Sequence, residues 1–183
     1  MEGLPLGHIL KRRGTLGPRD VMKIGVQVCA GLHYAHEQRI VHRDIKTGNI
    51  FFTRGKVVKI MDFGLAKMVE EVRRASTVIG GTPYYMAPEQ SLGENVDHRA
   101  DLYALGVTFY ELIAGKVPFA EGDVAYHHRH TPPPDVRDTA AGVPDELANL
   151  ILELMAKAPT DRPENAGLVR DRLQRMLEAP TLL

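Results

Sequence analysis

Three short blocks carry the side chains able to do chemistry. In HRDIKTGN, residues 42–49, Asp44, Lys46 and Asn49 fall within six positions, just ahead of a predicted strand. An anionic base, a cation and a metal-capable amide at that spacing suit chemistry on phosphate groups. In MDFGLAK, residues 61–67, Asp62 ends an apolar strand and precedes Phe63 and a flexible Gly64. The third block is GTPYYMAPEQ, residues 81–90. Between the first two, IFFT (50–53) and VVKIM (57–61) flank Arg54-Gly55-Lys56, the pattern of a short β-hairpin. Asn49 precedes its first strand and Asp62 follows its second, so the hairpin brings them together. Oxygen ligands arriving from two directions suit Mg²⁺, which takes few protein ligands and keeps the rest for phosphates and water.

The elements that must hold these blocks are mostly helical. Gly17-Pro18 supplies an N-cap and a first-turn proline, Asp20 suits the positive helix end, and Val21, Ile24, Val28, Leu32 and Ala35 recur at helical spacing. Gly25 and Cys29 fall on that packed side. ADLYALGVTFYELIAG (100–115) is apolar on nearly every face, which predicts a helix buried all round with Gly115 as its stop. PDELANLILELMAK (144–157) carries an apolar stripe, and a last helix is predicted from about Pro163 to Glu178. Residues 65–86 read as a long polar loop and 131–144 as an irregular, proline-rich connector. The pattern is a mainly α domain with one small hairpin.

Composition narrows the function. At 183 residues with 44% hydrophobic content, the chain can bury one core. One cysteine excludes an internal disulfide and fits a reducing, cytoplasmic setting. No apolar run approaches the ~20 residues that span a bilayer. Net charge is zero but uneven: residues 1–60 hold 11 Lys/Arg against 4 Asp/Glu, and 61–183 hold 12 against 19. A general nucleic-acid binder would carry a basic excess, so no nucleic-acid partner is expected.

HRDIKTGN, DFG and APE, in this order, resemble the protein-kinase signature, and Lys46 with GTPYYMAPEQ resembles the serine/threonine branch found in bacteria. DHRADLYALG, GKVPF and KAPTDRP are similar to further family segments, so the resemblance covers essentially the whole chain. It implies the helical C-lobe of a kinase, residues 1–183 comprising hinge and C-lobe, with ATP and Mg²⁺ as cofactors and protein serine or threonine hydroxyls as substrates. By resemblance, Asp44 accepts or orients the hydroxyl proton, Lys46 neutralises the γ-phosphoryl group, and Asn49 and Asp62 hold the metal. Thr82 links the substrate-docking loop to the catalytic loop. Phe51 lies under the adenine, His42 and Phe63 stack below the site, and Asp101 anchors His42. Arg43 grips a phosphorylated loop, with Ser76 and Thr77 as candidate sites and another kinase copy as the donor. Glu89 and Arg162 resemble the family's buried ion pair.

MEGLPLGHIL resembles the kinase hinge and the helix after it, with Met1 against the adenine and Leu6 supporting the stacked column; Pro5 departs from the polar residue often found near the ribose. No two of the 17 glycines are two apart, and no VAIK-like strand precedes HRD, so the N-lobe half of the nucleotide clamp is missing. The isolated chain is therefore expected to be inactive alone. The competing expectation is a non-catalytic lobe that docks substrates or a partner kinase. His127-His128-Arg129-His130 reads as a surface helix rather than a metal site, Cys29 as core, and Lys11-Arg12-Arg13 as a solvated helix end.

Overall fold

The computed structural model describes residues 3–63, 84–93 and 96–179. Met1, Thr82, Ser76 and Thr77, together with most of the predicted 65–86 loop, lie outside the described residues.

The expected hairpin forms from β2 (Ile50–Thr53) and β3 (Val58–Ile60), with Ile50 opposite Ile60 and Phe52 opposite Val58. A third antiparallel strand, β1 (Gly3–Pro5), joins its other side and gives the order β1-β2-β3. Three residues containing Gly and Pro give no strand signal in sequence, but an edge strand tolerates a proline that donates nothing to the ladder. Pro5 pairs with Phe51 there, and a Cβ on Gly3 would come within 2.9 Å of the Phe52 carbonyl oxygen.

α1 (Leu6–Arg13) leaves β1 directly, and α2 (Pro18–Glu37) follows with Gly17 extended at its N-cap. The five predicted stripe residues of α2 are all buried, as are Gly25 and Cys29. The short α3 (Pro88–Leu92) precedes α4 (Arg99–Ala114), the predicted central helix. α4 is buried on every side, and Gly115 stops it in the left-handed region at φ 76°, donating to the Glu111 carbonyl. α5 (Val124–His130), a 3₁₀ turn at Val136–Asp138, α6 (Asp145–Leu154), a second 3₁₀ turn at Pro159–Asp161 and α7 (Ala166–Glu178) complete the order. α7 begins three residues later than Pro163 because Asn165 caps it, its Oδ1 accepting from Leu168 N at 3.0 Å. α2 packs most extensively along α7, and α4 lies against α2 and α6. The result is the mainly α, small-sheet architecture expected, with α4 at the centre of a single hydrophobic core.

One minor expectation changes. The 124–130 helix is not wholly superficial, since Val124 and His128 are buried. Among the described residues no group of three or more His, Cys, Asp or Glu side chains forms a metal site, and no helix is long and apolar enough to cross a membrane.

Candidate active site

The loop between α2 and β2 is held from below by one buried carboxylate. Asp101, in the first turn of α4, accepts from the backbone N–H of His42 at 2.8 Å and of Arg43 at 2.7 Å, and from His36 Nε2 at 2.8 Å. Asp101 is fully buried, so these charge-assisted bonds satisfy a carboxylate that water does not reach. His42 extends the scaffold sideways. Its Nε2 donates to the Met61 carbonyl at 2.8 Å, and its Nδ1 accepts from Asp44 N at 3.2 Å. A carbonyl can only accept and an N–H only donate, which fixes the neutral Nε2–H tautomer. The ring also meets Phe63 edge-on at 4.7 Å.

Asp44, Lys46 and Asn49 converge above this base. Lys46 Nζ donates to both Asp44 carboxylate oxygens, at 3.0 and 2.7 Å. Asn49 Nδ2 donates to the Asp44 carbonyl and to its Oδ2, each at 2.8 Å. The Asp44 side chain remains 56% exposed, whereas Asn49 is buried. The Asp44 carboxylate is thus open to solvent on one side and fixed on the other.

The hairpin delivers Asp62 to the same place. Met61 N donates to the Asn49 carbonyl at 2.8 Å, so Asp62 stands one residue from a direct contact with the Asn49 backbone. Both Arg43 and Asp62 adopt positive φ, 65° each. Such backbone costs about 1–3 kcal/mol per residue and persists where neighbours over-determine it. Here they do: Arg43 is held at its N–H by Asp101 and at its carbonyl by Gln90 Nε2 at 3.2 Å. Asp62 is held between the Met61 bonds and the Phe63–His42 contact.

The donor set fits Mg²⁺. Asn49 spends its amide N–H groups on Asp44, which leaves its Oδ1 as an oxygen ligand, and Asp62 adds an exposed carboxylate. Both are hard oxygen donors of the kind Mg²⁺ takes, few in number and open to water.

Leu6 is fully buried at the start of α1, and Phe51 is half-buried opposite Pro5, so both sit at the same end of the sheet. Gly7 N donates to the Thr47 carbonyl at 3.0 Å, tying α1 to the loop that bears Asp44.

Several residues of the site carry no sequence signal. Tyr85 donates its hydroxyl to Glu111 Oε2 at 2.6 Å and lies 3.4 Å from Thr47 Oγ1, while Gln90 reaches Arg43. Burial raises the Glu111 carboxyl above the usual range, partly offset by the Tyr85 bond, and raises the Tyr85 phenol further. The segment 84–90 is thereby fastened to the loop that bears Asp44. These links join residues 26 to 47 positions apart, a separation that motif spacing does not encode.

Glu89 and Arg162 form the expected buried pair. The guanidinium NH1 and NH2 meet Glu89 Oε1 and Oε2 at 2.7 and 2.8 Å. Its remaining donors reach the carbonyls of Ala156, Arg99 and Lys157 at 2.9–3.0 Å.

Comparison with known proteins agrees with this geometry. The family model described as protein kinase domain matches residues 1–174. The chain belongs to the protein kinase family. It is similar to the bacterial serine/threonine-protein kinase Pkn1 of Myxococcus xanthus, 43% identical over 95% of this chain and 26% of that protein. PknB of Mycolicibacterium smegmatis is 37% identical, over 97% of this chain and 29% of its own length. A probable serine/threonine-protein kinase of Clostridium perfringens, CPE1738, is 36% identical, over 100% and 27%. This kinase chain thus spans between a quarter and a third of the curated relatives it matches. Proteins of the family use ATP and Mg²⁺ and act on protein substrates.

Proposed function

We propose that the protein transfers the γ-phosphoryl group of MgATP to serine or threonine hydroxyls of proteins, with Asp44, Lys46, Asn49 and Asp62 as its catalytic residues. The observation that carries this reading is the convergence of Lys46 and Asn49 on Asp44, above a loop whose backbone Asp101 holds. Asp44 takes the proton as the substrate oxygen bonds to the γ-phosphorus and the bond to the β-phosphate oxygen breaks, releasing ADP. A positioned base contributes about 10²–10⁴-fold. Lys46, already within reach of the same carboxylate, offsets charge on the moving phosphoryl group. Asn49 and Asp62 hold Mg²⁺, which supplies charge neutralisation at the nucleotide phosphates. Phe51 lies under the adenine, Leu6 supports the stacked column, Met1 contacts the adenine, and Thr82 links the substrate-docking loop to the catalytic loop.

Arg43 is the cation that receives a phosphorylated Ser76 or Thr77, the phosphate coming from a second copy of the kinase; about two added negative charges order a loop against such a residue. A single buried cysteine and the lack of a membrane-crossing helix among the described residues support a cytoplasmic site of action.

The test is label transfer from γ-labelled ATP to dephosphorylated casein by the full-length protein, followed by phosphoamino-acid analysis. Mg²⁺-dependent label on serine or threonine supports the reading. Label on tyrosine contradicts it, and casein binding with no transfer favours a docking module instead.

A further inference from the structure

The roles above leave unused a lysine between α6 and the second 3₁₀ turn. Lys157 Nζ lies 5.0 Å from the centre of the Phe119 ring and 6.0 Å from that of Tyr103, and it donates to the His127 carbonyl at 3.1 Å. Arg162 lies over the same Tyr103 ring at 4.9 Å, and its Nη2 donates to the Lys157 carbonyl at 3.0 Å. Two cations thus share one aromatic wall. Glu89, the carboxylate at this place, is committed to Arg162 through both oxygens. Among the described residues no carboxylate forms an ion pair with Lys157. The residue is half-buried rather than enclosed.

Two features turn a lysine into a nucleophile: removal from water beside apolar faces, and a neighbouring cation. Both are present here. Aromatic faces attract an ammonium, but burial and then the Arg162 charge act against it and are the larger effect. The Lys157 pKa falls from the ordinary 10.5 to about 8. A carboxylate partner, as Asp44 is to Lys46, would hold the proton in place. The titratable groups around the amine are His127 and His128 of α5, Tyr103 of α4 and the Glu89–Arg162 pair. Burial keeps the His128 ring neutral, with its pKa lowered to about 4, and keeps the Tyr103 phenol protonated, so neither changes charge between about pH 6 and 9.

We propose that Lys157 is a modification site, its Nζ acylated by small acyl phosphates in preference to the exposed lysines. The amine attacks the acyl carbon, and the bond from that carbon to the phosphate oxygen breaks. Inorganic phosphate leaves with the electron pair, and the extra proton on nitrogen passes to water. The amide formed retains one N–H for the His127 carbonyl and loses the charge that opposed Arg162. A half-buried amine admits a small reagent of this kind more readily than a bulky one. Phosphoryl transfer at Asp44 plays no part in this chemistry.

The experiment treats the full-length protein with acetyl phosphate at about pH 7.5 and follows acetylation of each lysine by peptide mass spectrometry. With a pKa of about 8, about a quarter of Lys157 is free amine, against about a thousandth of an ordinary lysine. Lower basicity and partial burial take back part of that advantage. The expected initial rate at Lys157 is about tenfold above those at the exposed Lys11, Lys23 and Lys116. The Lys157 rate levels off above about pH 8, where an ordinary lysine keeps gaining to about pH 10. In guanidinium chloride the preference disappears, because the rings and Arg162 no longer surround the amine. A Lys157 rate no higher than those of the exposed lysines, a rate still climbing at about pH 10, or a preference that survives unfolding overturns the proposal.

Discussion

Removing Glu89 tests the packing that joins the 84–90 segment to the late helices. All five guanidinium N–H bonds of Arg162 are spent, two on Glu89 and three on backbone carbonyls, and the two side chains are 0% and 4% exposed. Glu89→Ala leaves a buried cation uncompensated, and the loss is about 3–5 kcal/mol. Glu89→Gln keeps one acceptor but sets an NH₂ group against the guanidinium, and costs about 2 kcal/mol. Replacing both partners by Leu and Met does not bring the usual recovery. The carbonyls of Ala156, Arg99 and Lys157 would lose their donor, at about 1 kcal/mol each. Urea unfolding followed by circular dichroism reads these values from the midpoint at constant slope. A double-mutant cycle should give a coupling energy of at least about 2 kcal/mol. A loss below about 1 kcal/mol for Glu89→Ala, or a coupling near zero, would refute the reasoning.

Two glycines of α2 separate overpacking from helix propensity. Gly25→Ala sets a Cβ 2.6 Å from Phe109 Cζ and 2.8 Å from Leu173 Cδ1, and overpacking of about 1–3 kcal/mol outweighs the ~1 kcal/mol helix gain. Gly31→Ala meets only Ile60 Cδ1 at 3.4 Å and instead stabilises by about 0.5–1 kcal/mol, read as a higher urea midpoint. Stability also depends on pH through His128, whose folded pKa of about 4 lies below the unfolded 6.5. The unfolded chain binds the extra proton between these values, so stability is complete above pH 6.5. It falls by about 3 kcal/mol as pH drops towards 4, and His128→Leu removes that component of the slope. Intact-mass analysis of the active protein should show phosphate on Ser76 or Thr77; an active preparation unmodified at both removes the role given to Arg43.

How much of this was legible in the sequence depends on the range of the interaction. The α2 stripe, the all-round burial of α4 and the Gly115 stop follow from periodicity and local backbone preference, and the structure has them at the predicted residues. The hairpin was legible because its turn is short, and with it the approach of Asn49 to Asp62. β1 was not, because Gly3-Leu4-Pro5 becomes a strand only when Phe51 and Phe52 present an edge. The late start of α7 came from an Asn165 cap competing with a proline signal. In the site, motif order singled out Asp44, Lys46, Asn49 and Asp62, and the structure draws Lys46 and Asn49 onto Asp44. The fastening of Tyr85 to Glu111, of Gln90 to Arg43 and of His36 to Asp101 is set by tertiary packing across 26 to 65 residues. The resemblance implies a surface helix at 127–130, and only the contacts with Tyr103 and Phe119 show the pocket that buries His128.

The central claim is that Asp44, held by Lys46 and Asn49, is the base for phosphoryl transfer. It is tested most directly by comparing kcat for casein phosphorylation by the full-length protein and its Asp44→Asn variant, at saturating MgATP. The substitution keeps the side chain's shape and removes its basicity. A fall in kcat of about 10²–10⁴-fold with KM for ATP unchanged is the predicted result. A variant that retains more than about a tenth of the wild-type kcat would contradict the account.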